Sequence, residues 1–253
     1  MLNTKVIILT LAGVFALKFV DADLGIKHVK VKDTIEMYAK LGSLGLRLLT
    51  TDDLVTINTL MNETLNEDPL FIGTGISNDG ESRNYFREKW ISYIAENKSF
   101  VWVKKGKMIG LNILYLNDGS GTSIPPSLLP KVSLYYNILS DSELSFNMTE
   151  KYGVDSFLNS AVFWVRKDQR RLENFHKMLQ FREAICVTNG IGATSAYFTR
   201  FDEAYAAYNV GYEQDGRMSY TNIAQKYGGF KTDDMPNSPF LTRKTLKYII
   251  NND

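Results

Sequence analysis

The clearest structural signal in the chain is a β-hairpin at residues 100–116. The sequence FVWVKKGKMIGLNILYL contains two runs rich in β-branched and aromatic residues, separated by the short turn KKGK with its single glycine. Runs of this composition favour strands, and a short glycine-containing turn between them favours antiparallel pairing. The hairpin therefore predicts a sheet with at least one antiparallel pair.

Helical and strand-like segments alternate on both sides of this hairpin. Upstream, residues 23–45 are mixed in composition and are predicted to be a loose or helical lead-in. The run LRLLT (46–50) is typical of a strand. The next two segments, 51–70 and 84–98, place apolar residues at helical spacing. A loop is predicted between them and an exposed proline-containing loop at 117–130.

Downstream of the hairpin the pattern continues to the end of the chain. It predicts, in order, a helix (143–157), the strand LNSAVFWV, the turn and helix VRKDQRRLENFHKML, the strand and turn REAICVTNGI, the helix FTRFDEAYAAYNVGYE, the strand GRMSYTNIA and a polar tail. The resulting order is β, α, α, β, β, α, β, α, β, α, β. We predict a mixed α/β (α+β) fold in one domain, residues 46–253.

The N-terminus has the composition of a secretory signal. Lys5 is basic, residues 6–17 form an apolar stretch, and Val20-Asp21-Ala22 places small residues where a signal peptidase reads. The apolar stretch has about 12 residues, fewer than the roughly 20 that span a bilayer. Residues 1–22 are therefore predicted to be a cleaved signal peptide. The alternative is a buried N-terminal helix.

Three N-x-[ST] sequons agree with secretion. They begin at Asn62, Asn97 and Asn147, each in or beside a polar stretch, and such sites accept N-linked glycans in secreted proteins. We therefore predict a secreted, extracellular glycoprotein that does not remain in a membrane after signal cleavage.

Composition excludes several other classes of function. The formal net charge of +1 provides no bulk attraction to nucleic acid or to an anionic membrane. His28 and His176 are the only histidines and lie in no ligand cluster, so no metal site is predicted. Cys186 is the only cysteine; in the apolar run AICV it is predicted to be a buried small hydrophobe.

Three stretches resemble one known family. LRLLTTDDLVTINTLMNETLNEDPL, the hairpin and FTRFDEAYAAYNVGYEQDGRMSY are similar to the opening strand and helix, the hairpin and the late helix and strand of GNAT acyltransferases. The similarity is greatest to the insect arylalkylamine N-acetyltransferase branch and covers about residues 46–240. It implies a central, mostly antiparallel twisted sheet flanked by helices. It also implies transfer of an acetyl group from acetyl-CoA to an amine.

The turn after the strand ending at Val165 corresponds to the family's pyrophosphate loop, [RQ]-x-x-G-x-[GA]. This register aligns the loop with residues 170–175, where Arg170 and Arg171 are basic but both small residues are replaced, by Glu173 and Phe175. Glycine lets a backbone approach phosphate without a Cβ between them. We therefore predict a degenerate loop in which the Glu173 carboxylate repels phosphate and Phe175 adds bulk. The alternative is a solvated basic turn that never bound a cofactor.

The resemblance also aligns acid–base residues. Asp68, beside Glu67 in the motif EDPL, aligns with the branch's glutamate, and an aspartate there could act through a water. The alternative is an Asp-Pro turn that ends a helix. Two hydroxyl positions of the branch align with Thr199, which is also a plausible helix N-cap, and with Glu203, which departs from the pattern.

The family's general-acid tyrosine aligns with Ala207. The neighbouring Tyr208 is one place off and would face about 100° away around a helix. Three hypotheses follow: a catalytically silent secreted protein that binds a small molecule, such as an amine; a protein-interaction module without a small ligand; or an active acetyl-CoA-dependent N-acetyltransferase. We favour a silent protein, because the loop is altered and acetyl-CoA is not expected outside the cell.

Overall fold

The computed structural model describes residues 25–118, 129–145, 147–233 and 239–252. In these ranges eight strands form one sheet: β1 (Ile26–Lys30), β2 (Leu46–Leu48), β3 (Phe100–Lys104), β4 (Lys107–Asn117), β5 (Phe157–Val165), β6 (Ala193–Phe198), β7 (Glu213–Ser219) and β8 (Phe240–Asn251). Their order is β1-β8-β6-β5-β4-β3-β2, and β7 also pairs with β8. The predicted signal peptide, residues 1–22, lies outside the described residues.

Nine helices of the described chain flank this sheet. They are α1 (Val31–Ser43), α2 (Leu54–Glu67), α3 (Pro69–Gly73), α4 (Gly80–Ile94), α5 (Pro130–Leu139), α6 (Met148–Tyr152), α7 (Leu172–Thr188), α8 (Phe201–Asn209) and α9 (Tyr220–Lys226). In the ranges described, no helix is both long and apolar enough to cross a membrane.

The hairpin and the mixed sheet are confirmed. β3 and β4 pair antiparallel around a turn at Lys105 and Gly106, whose φ values of 50° and 72° lie in the left-handed region that such tight turns require. Among the strand pairings of the described ranges, only β1–β8 and β5–β6 are parallel. The sheet is therefore mostly antiparallel, as predicted.

A β-bulge in β5 lies where this strand stops pairing with β6. The register against β4 shifts so that Ile113 faces Val162 and Leu114 faces Ser160, which leaves Ala161 as the extra residue. Bulges bend a strand and increase its twist. On its other edge β5 pairs with β6 only over residues 158–160, so the two strands diverge beyond the bulge.

Apolar side chains fill both faces of the sheet. One core, against α7, contains Phe175, Phe181 and Cys186; the other, against α2 and α4, contains Ile57 and Trp90. Cys186 is fully buried and unpaired, as predicted, and burial raises the pKa of its thiol to about 12. The sheet therefore separates two packed layers, and the gap beyond the bulge lies between them.

Two strand assignments made from the sequence are wrong. The run AICV lies inside α7, which continues to Thr188 and is followed by Gly190 at φ 67°. Because α7 is buried between α1 and the sheet, its last turns are apolar on nearly every side and lack an amphipathic pattern. In addition, residues 220–224 of the predicted strand GRMSYTNIA lie in α9.

The predicted polar tail contains an interior strand of the sheet, β8. One edge of β8 pairs with β6, and the other pairs with β7 over residues 240–245 and with β1 over 247–251. Its four-residue run Thr242–Thr245 is polar yet buried. Because these residues are not apolar, the sequence pattern does not indicate a buried strand here.

Three further segments differ from their predictions. Residues 26–43 of the lead-in form β1 and α1, both part of the sheet and its cover. The helix predicted at 143–157 is limited to α6, and residue 146 is outside the described ranges. The helix α5, for which the sequence argument made no prediction, begins at Pro130, a residue favoured at the first helical position.

Candidate functional site

A cavity of about 560 Å³ lies on the face of the sheet covered by α2, α4 and α5, beside the gap between β5 and β6. Aromatic side chains from α3, α4, β4, α5 and β6 line much of it, including Phe71, Trp90, Tyr93, Tyr115, Tyr135 and Tyr197. A concave site of this size that is lined by aromatic groups, with a few polar groups among them, is typical of a small-molecule site.

Asp68 stands at one end of this cavity, at the corner between α2 and α3. Its Oδ1 accepts a hydrogen bond from the backbone N–H of Leu70 at 2.8 Å, so Asp68 is the N-cap of α3, with Pro69 in the first turn. Its Oδ2 accepts a hydrogen bond from the Thr199 hydroxyl at 2.8 Å. Burial raises the pKa of the Asp68 carboxyl, and these two donors oppose the rise.

Thr199 joins the same site from the other side of the gap. It follows β6, and its backbone carbonyl accepts a hydrogen bond from the Tyr220 hydroxyl at 2.9 Å. The N-cap of α8 is Arg200, so the alternative that Thr199 is a plain N-cap is wrong. The Thr199 hydroxyl instead orients Asp68.

Glu203 is the second carboxyl group at the cavity. It lies on α8, is only 4% exposed, and lines the cavity together with Asp68 and Thr199. Its Oε1 is 3.9 Å from Nε of Arg200. Burial raises the pKa of Glu203 well above its usual range, and the nearby Asp202 and Asp68 charges add to the rise.

The two acids are therefore held in a protein environment that disfavours their ionised forms. A cation placed between them would favour ionisation, since opposite charges at close range lower the pKa of a carboxyl group. The aromatic faces around the cavity also attract a cation.

The turn that aligns with the family's pyrophosphate loop, predicted to be degenerate, makes its polar contacts within the protein. Nε of Arg170 donates to the Val165 carbonyl at 2.8 Å, and its guanidinium also forms an ion pair with Glu67 at the end of α2. The Arg170 side chain is only 10% exposed. Its charge is therefore paired internally, across the space between β5 and α2.

Two other residues of the turn, Arg171 and Glu173, are exposed and carry opposite charges. Arg171 is exposed and is the N-cap of α7, and its backbone N–H donates to the Gln169 carbonyl at 2.8 Å. Glu173 is exposed beside the first turn of α7 and forms an ion pair with Lys177, which holds the pKa of its carboxyl below the usual range. A negative charge thus stands at the N-terminus of this helix.

Phe175 does not project into the turn, and the prediction that its bulk obstructs a phosphate is wrong. The side chain is fully buried, and its ring centroid is 6.0 Å from that of Phe163 in the core. The reason is helical geometry, because residue 175 is one turn into α7, on the face that packs against the sheet.

Two aromatic rings are in contact at the gap beyond the bulge. A cofactor with its pyrophosphate at the start of α7 would have to reach the Asp68 cavity between β5 and β6. Phe163 and Phe198 meet there edge to face, with ring centroids 5.6 Å apart, and Phe198 is fully buried. A cofactor bound at the start of α7 would therefore meet this aromatic pair, the internally paired Arg170 and the charge of Glu173.

The position of the family's general-acid tyrosine provides no acid in this structure. Ala207 is fully buried, whereas Tyr208 is 53% exposed and packs near Lys244, away from the Asp68 cavity. Two further residues line the cavity that the sequence did not indicate: Tyr135, on α5, and Arg243, on β8. Apolar spacing after Pro130 could have indicated α5; no comparable signal marks Arg243.

The three sequon asparagines differ in their surroundings. Asn97 and Asn147 are exposed, the first at a turn after α4 with φ 56° and the second as N-cap of α6. Asn62 is half-buried on α2, where its side-chain oxygen accepts hydrogen bonds from Arg83 and Arg87.

Comparison with known proteins identifies the fold. No protein-family model and no curated protein matches the sequence, but solved structures do. The chain is similar to the Aedes aegypti (yellow fever mosquito) protein described as arylalkylamine N-acetyltransferase 7, with TM-score 0.70 and 19% identity over 80% of this chain and 86% of that one. It is also similar to arylalkylamine N-acetyltransferase 2 of Aedes aegypti, with TM-score 0.66 and 13% identity over 80% and 97%.

A third similar structure is the C-terminal condensation domain of Ebony in complex with β-alanyl-dopamine. Its TM-score is 0.58 at 12% identity, over 80% of this chain and 97% of that one. The chain therefore has the GNAT fold, in the form seen in the insect arylalkylamine N-acetyltransferases.

Proposed function

We propose that this chain is a secreted GNAT-fold protein without acetyltransferase activity that binds a small amine in the Asp68 cavity. The observation that carries the proposal is the pair of enclosed carboxyl groups, Asp68 and Glu203, at a cavity lined by aromatic rings. An ammonium group would pair with the acids while an apolar or aromatic body packs against the rings.

The similar structures support an amine as the ligand class. Two carry the name of arylalkylamine N-acetyltransferases, and the Ebony domain is bound to β-alanyl-dopamine. The Ebony domain is named as a condensation domain and the other two as acetyltransferases, so the fold does not fix the chemistry.

The absence of acetyl transfer is proposed from the turn at residues 165–175 and the gap beside it. Arg170 is paired with Glu67, Glu173 adds a negative charge, and Phe163 and Phe198 fill the path to the cavity. Secretion is proposed from the signal-like N-terminus and from the exposed sequons at Asn97 and Asn147. N-terminal sequencing of exported protein tests it: a mature start near Asp23 is expected, and an intact Met1 contradicts export by cleavage.

The amine site is tested by calorimetric titration with 2-phenylethylamine and with 2-phenylethanol. The alcohol has the same ring and chain but no positive charge. We expect the amine to bind at least about tenfold more tightly, because a charge-assisted hydrogen bond is stronger than a neutral one. Asp68→Asn and Glu203→Gln should each weaken amine binding and leave alcohol binding unchanged.

Equal affinity for the amine and the alcohol would contradict recognition by the two acids. If neither compound binds, the protein-interaction module without a small ligand becomes the better reading of the scaffold. Pull-down with the Asp68→Asn variant as the control then shows whether a protein partner uses the same face.

The alternative function is an active N-acetyltransferase that moves acetyl from acetyl-CoA to an arylalkylamine or a similar amine. The position of Asp68 favours it, because burial raises the pKa of this carboxyl toward the range of a general base. Millimolar acetyl-CoA should leave the melting temperature unchanged if our proposal holds, since a bound ligand stabilises by RT ln(1 + [L]/Kd). A melting shift together with an acetylated product would establish the enzyme.

A further inference from the structure

A second, smaller cleft lies between α8, β7 and β8. It has a volume of about 170 Å³. Its lining includes Tyr205 and Tyr208 from α8, Arg217 from β7, and Phe240 and Lys244 from β8. We call it the Lys244 cleft. Arg243, the preceding residue of β8, lines the Asp68 cavity, and successive side chains of a strand point to opposite faces. The two sites are therefore on opposite sides of the sheet.

Lys244 is the unusual group in this cleft. It is only 4% exposed, although lysine is rarely buried without a partner. Within the described ranges, no ion pair or hydrogen bond of its ammonium group is found. Its Nζ lies 5.5 Å from the ring centroid of Tyr208. Burial lowers the pKa of Lys244, the Arg217 charge adds to the decrease, and the nearby Asp215 charge opposes it only in part.

Two charged groups near Lys244 act on it in opposite directions. Asp215 favours the charged ammonium but forms no ion pair with it in the described ranges: its Oδ1 accepts a hydrogen bond from Lys151 at 2.6 Å, and its Oδ2 is buried without a hydrogen-bond partner. Arg217 is a second positive charge, and its guanidinium stacks 3.4 Å above the Phe240 ring. The cleft therefore holds a buried cation and a second cation at its edge.

The rim of the cleft is aromatic and exposed. Phe201, Tyr205 and Tyr208 are 62%, 48% and 53% exposed, and the first two rings are stacked at 6.0 Å. Exposed aromatic groups that adjoin one another mark an interaction site more often than scattered ones. Here they line the cleft that also contains the Lys244 side chain.

We propose that the Lys244 cleft binds a small aryl carboxylate. One carboxylate group would accept a hydrogen bond from Lys244 and balance its charge, with Arg217 beside it. The aryl ring would pack against Tyr205 and Tyr208. A water needs about 10–15 Å³ of such volume, so 170 Å³ has room for a ligand of roughly ten non-hydrogen atoms. This site is independent of the amine proposed for the Asp68 cavity, and it selects the opposite charge.

Titration with phenylacetate tests the proposal, with phenylacetamide as the neutral analogue of the same shape. Phenylacetate should bind at least about tenfold more tightly than the amide. Lys244→Met, which keeps the length of the side chain, should abolish that difference, and Arg217→Gln should reduce it. Lys107→Met, at the exposed start of β4, is the matched control and should bind as the native protein does.

Equal binding of phenylacetate and phenylacetamide would overturn the proposal. It would also be overturned if phenylacetate binding survived in Lys244→Met but was lost in Asp68→Asn, because the ligand would then occupy the other cavity. Arg217 is exposed, so Arg217→Gln provides a readout even if Lys244→Met fails to fold. In that case native affinity of Arg217→Gln for phenylacetate counts against the site.

Discussion

The Thr199 hydroxyl donates a 2.8 Å hydrogen bond to Oδ2 of Asp68, a residue 131 positions earlier in the chain. This bond joins the segment after β6 to the corner between α2 and α3. The other carboxylate oxygen of Asp68 is fixed by the backbone of α3. These two hydrogen bonds together fix the orientation of the Asp68 carboxylate at the cavity, and the Thr199 hydroxyl supplies one of them.

Replacing Thr199 by valine tests the energetic importance of this bond. Thr199→Val keeps the shape of the side chain but leaves Oδ2 of Asp68 without this donor. Hydrogen bonds to charged groups contribute about 1.5–3 kcal/mol, so we expect a loss of unfolding free energy toward the lower end of that range. The measurement is urea denaturation. Thr56→Val, at an exposed position of α2, is the control and should change stability by less than about 0.5 kcal/mol.

The raised pKa of Glu203 predicts a pH dependence of stability. Between the ordinary pKa of a glutamate and the raised pKa in the fold, the unfolded chain has released its proton and the folded protein has not. Stability is therefore greatest below the ordinary pKa and falls as pH rises toward the folded pKa. Glu203→Gln should make the unfolding free energy less dependent on pH and should raise it at the upper end of this interval.

Denaturation of the native protein and of Glu203→Gln, followed from pH 4 to pH 9, makes this comparison, with Glu173→Gln as the exposed control. A Glu203→Gln variant whose stability falls with pH as steeply as that of the native protein would contradict the assignment. Saturating 2-phenylethylamine should reduce the same pH dependence in the native protein, because a bound cation favours the ionised acids.

The positions of Phe175 and Glu173 predict effects of very different size on stability when each residue is replaced by alanine. Phe175→Ala removes a fully buried ring and should cost about 3–5 kcal/mol of unfolding free energy. Glu173→Ala removes an exposed side chain and its ion pair within the helix, so it should change stability by less than about 0.5 kcal/mol. Thermal and urea unfolding of both variants make the measurement, and similar effects of the two would contradict the burial of Phe175.

The sequons predict an unequal pattern of glycosylation. Asn97 and Asn147 are exposed, and Asn147 uses its side-chain oxygen to cap α6, which leaves the nitrogen free to carry a glycan. Asn62 packs against two arginines of α4. We expect glycans at Asn97 and Asn147 and none at Asn62, as tested by mass spectrometry of secreted protein. Asn97→Gln and Asn147→Gln should each lower the mass by one glycan, whereas Asn62→Gln should not.

The local sequence was sufficient to predict the elements that show a periodicity or a turn signal within their own segment. The β3–β4 hairpin, α2, the β5 strand and α8 each show a periodicity or a turn signal within about twenty residues. These elements were enough to indicate the mixed α/β class. Asp68 and Thr199 could be named as site residues because motifs around them resemble a family, but the bond between them could not be derived from either motif.

Other features of the fold and of the site depend on contacts between segments that are distant in the chain, and these features are visible only in the tertiary structure. The polar run Thr242–Thr245 is part of an interior strand that pairs with β6 and β7. Its buried side chains include Arg243, which lines the Asp68 cavity, and Lys244, which lines the Lys244 cleft. AICV remains helical because α1 and the sheet bury α7 on nearly every side. The pairing of Arg170 with Glu67, and the burial of Glu203 and Lys244, likewise depend on groups far apart in the chain. A sequence states the side chain at each position, but the pKa and the partner of that side chain are set by the desolvation and charges that only the assembled fold provides.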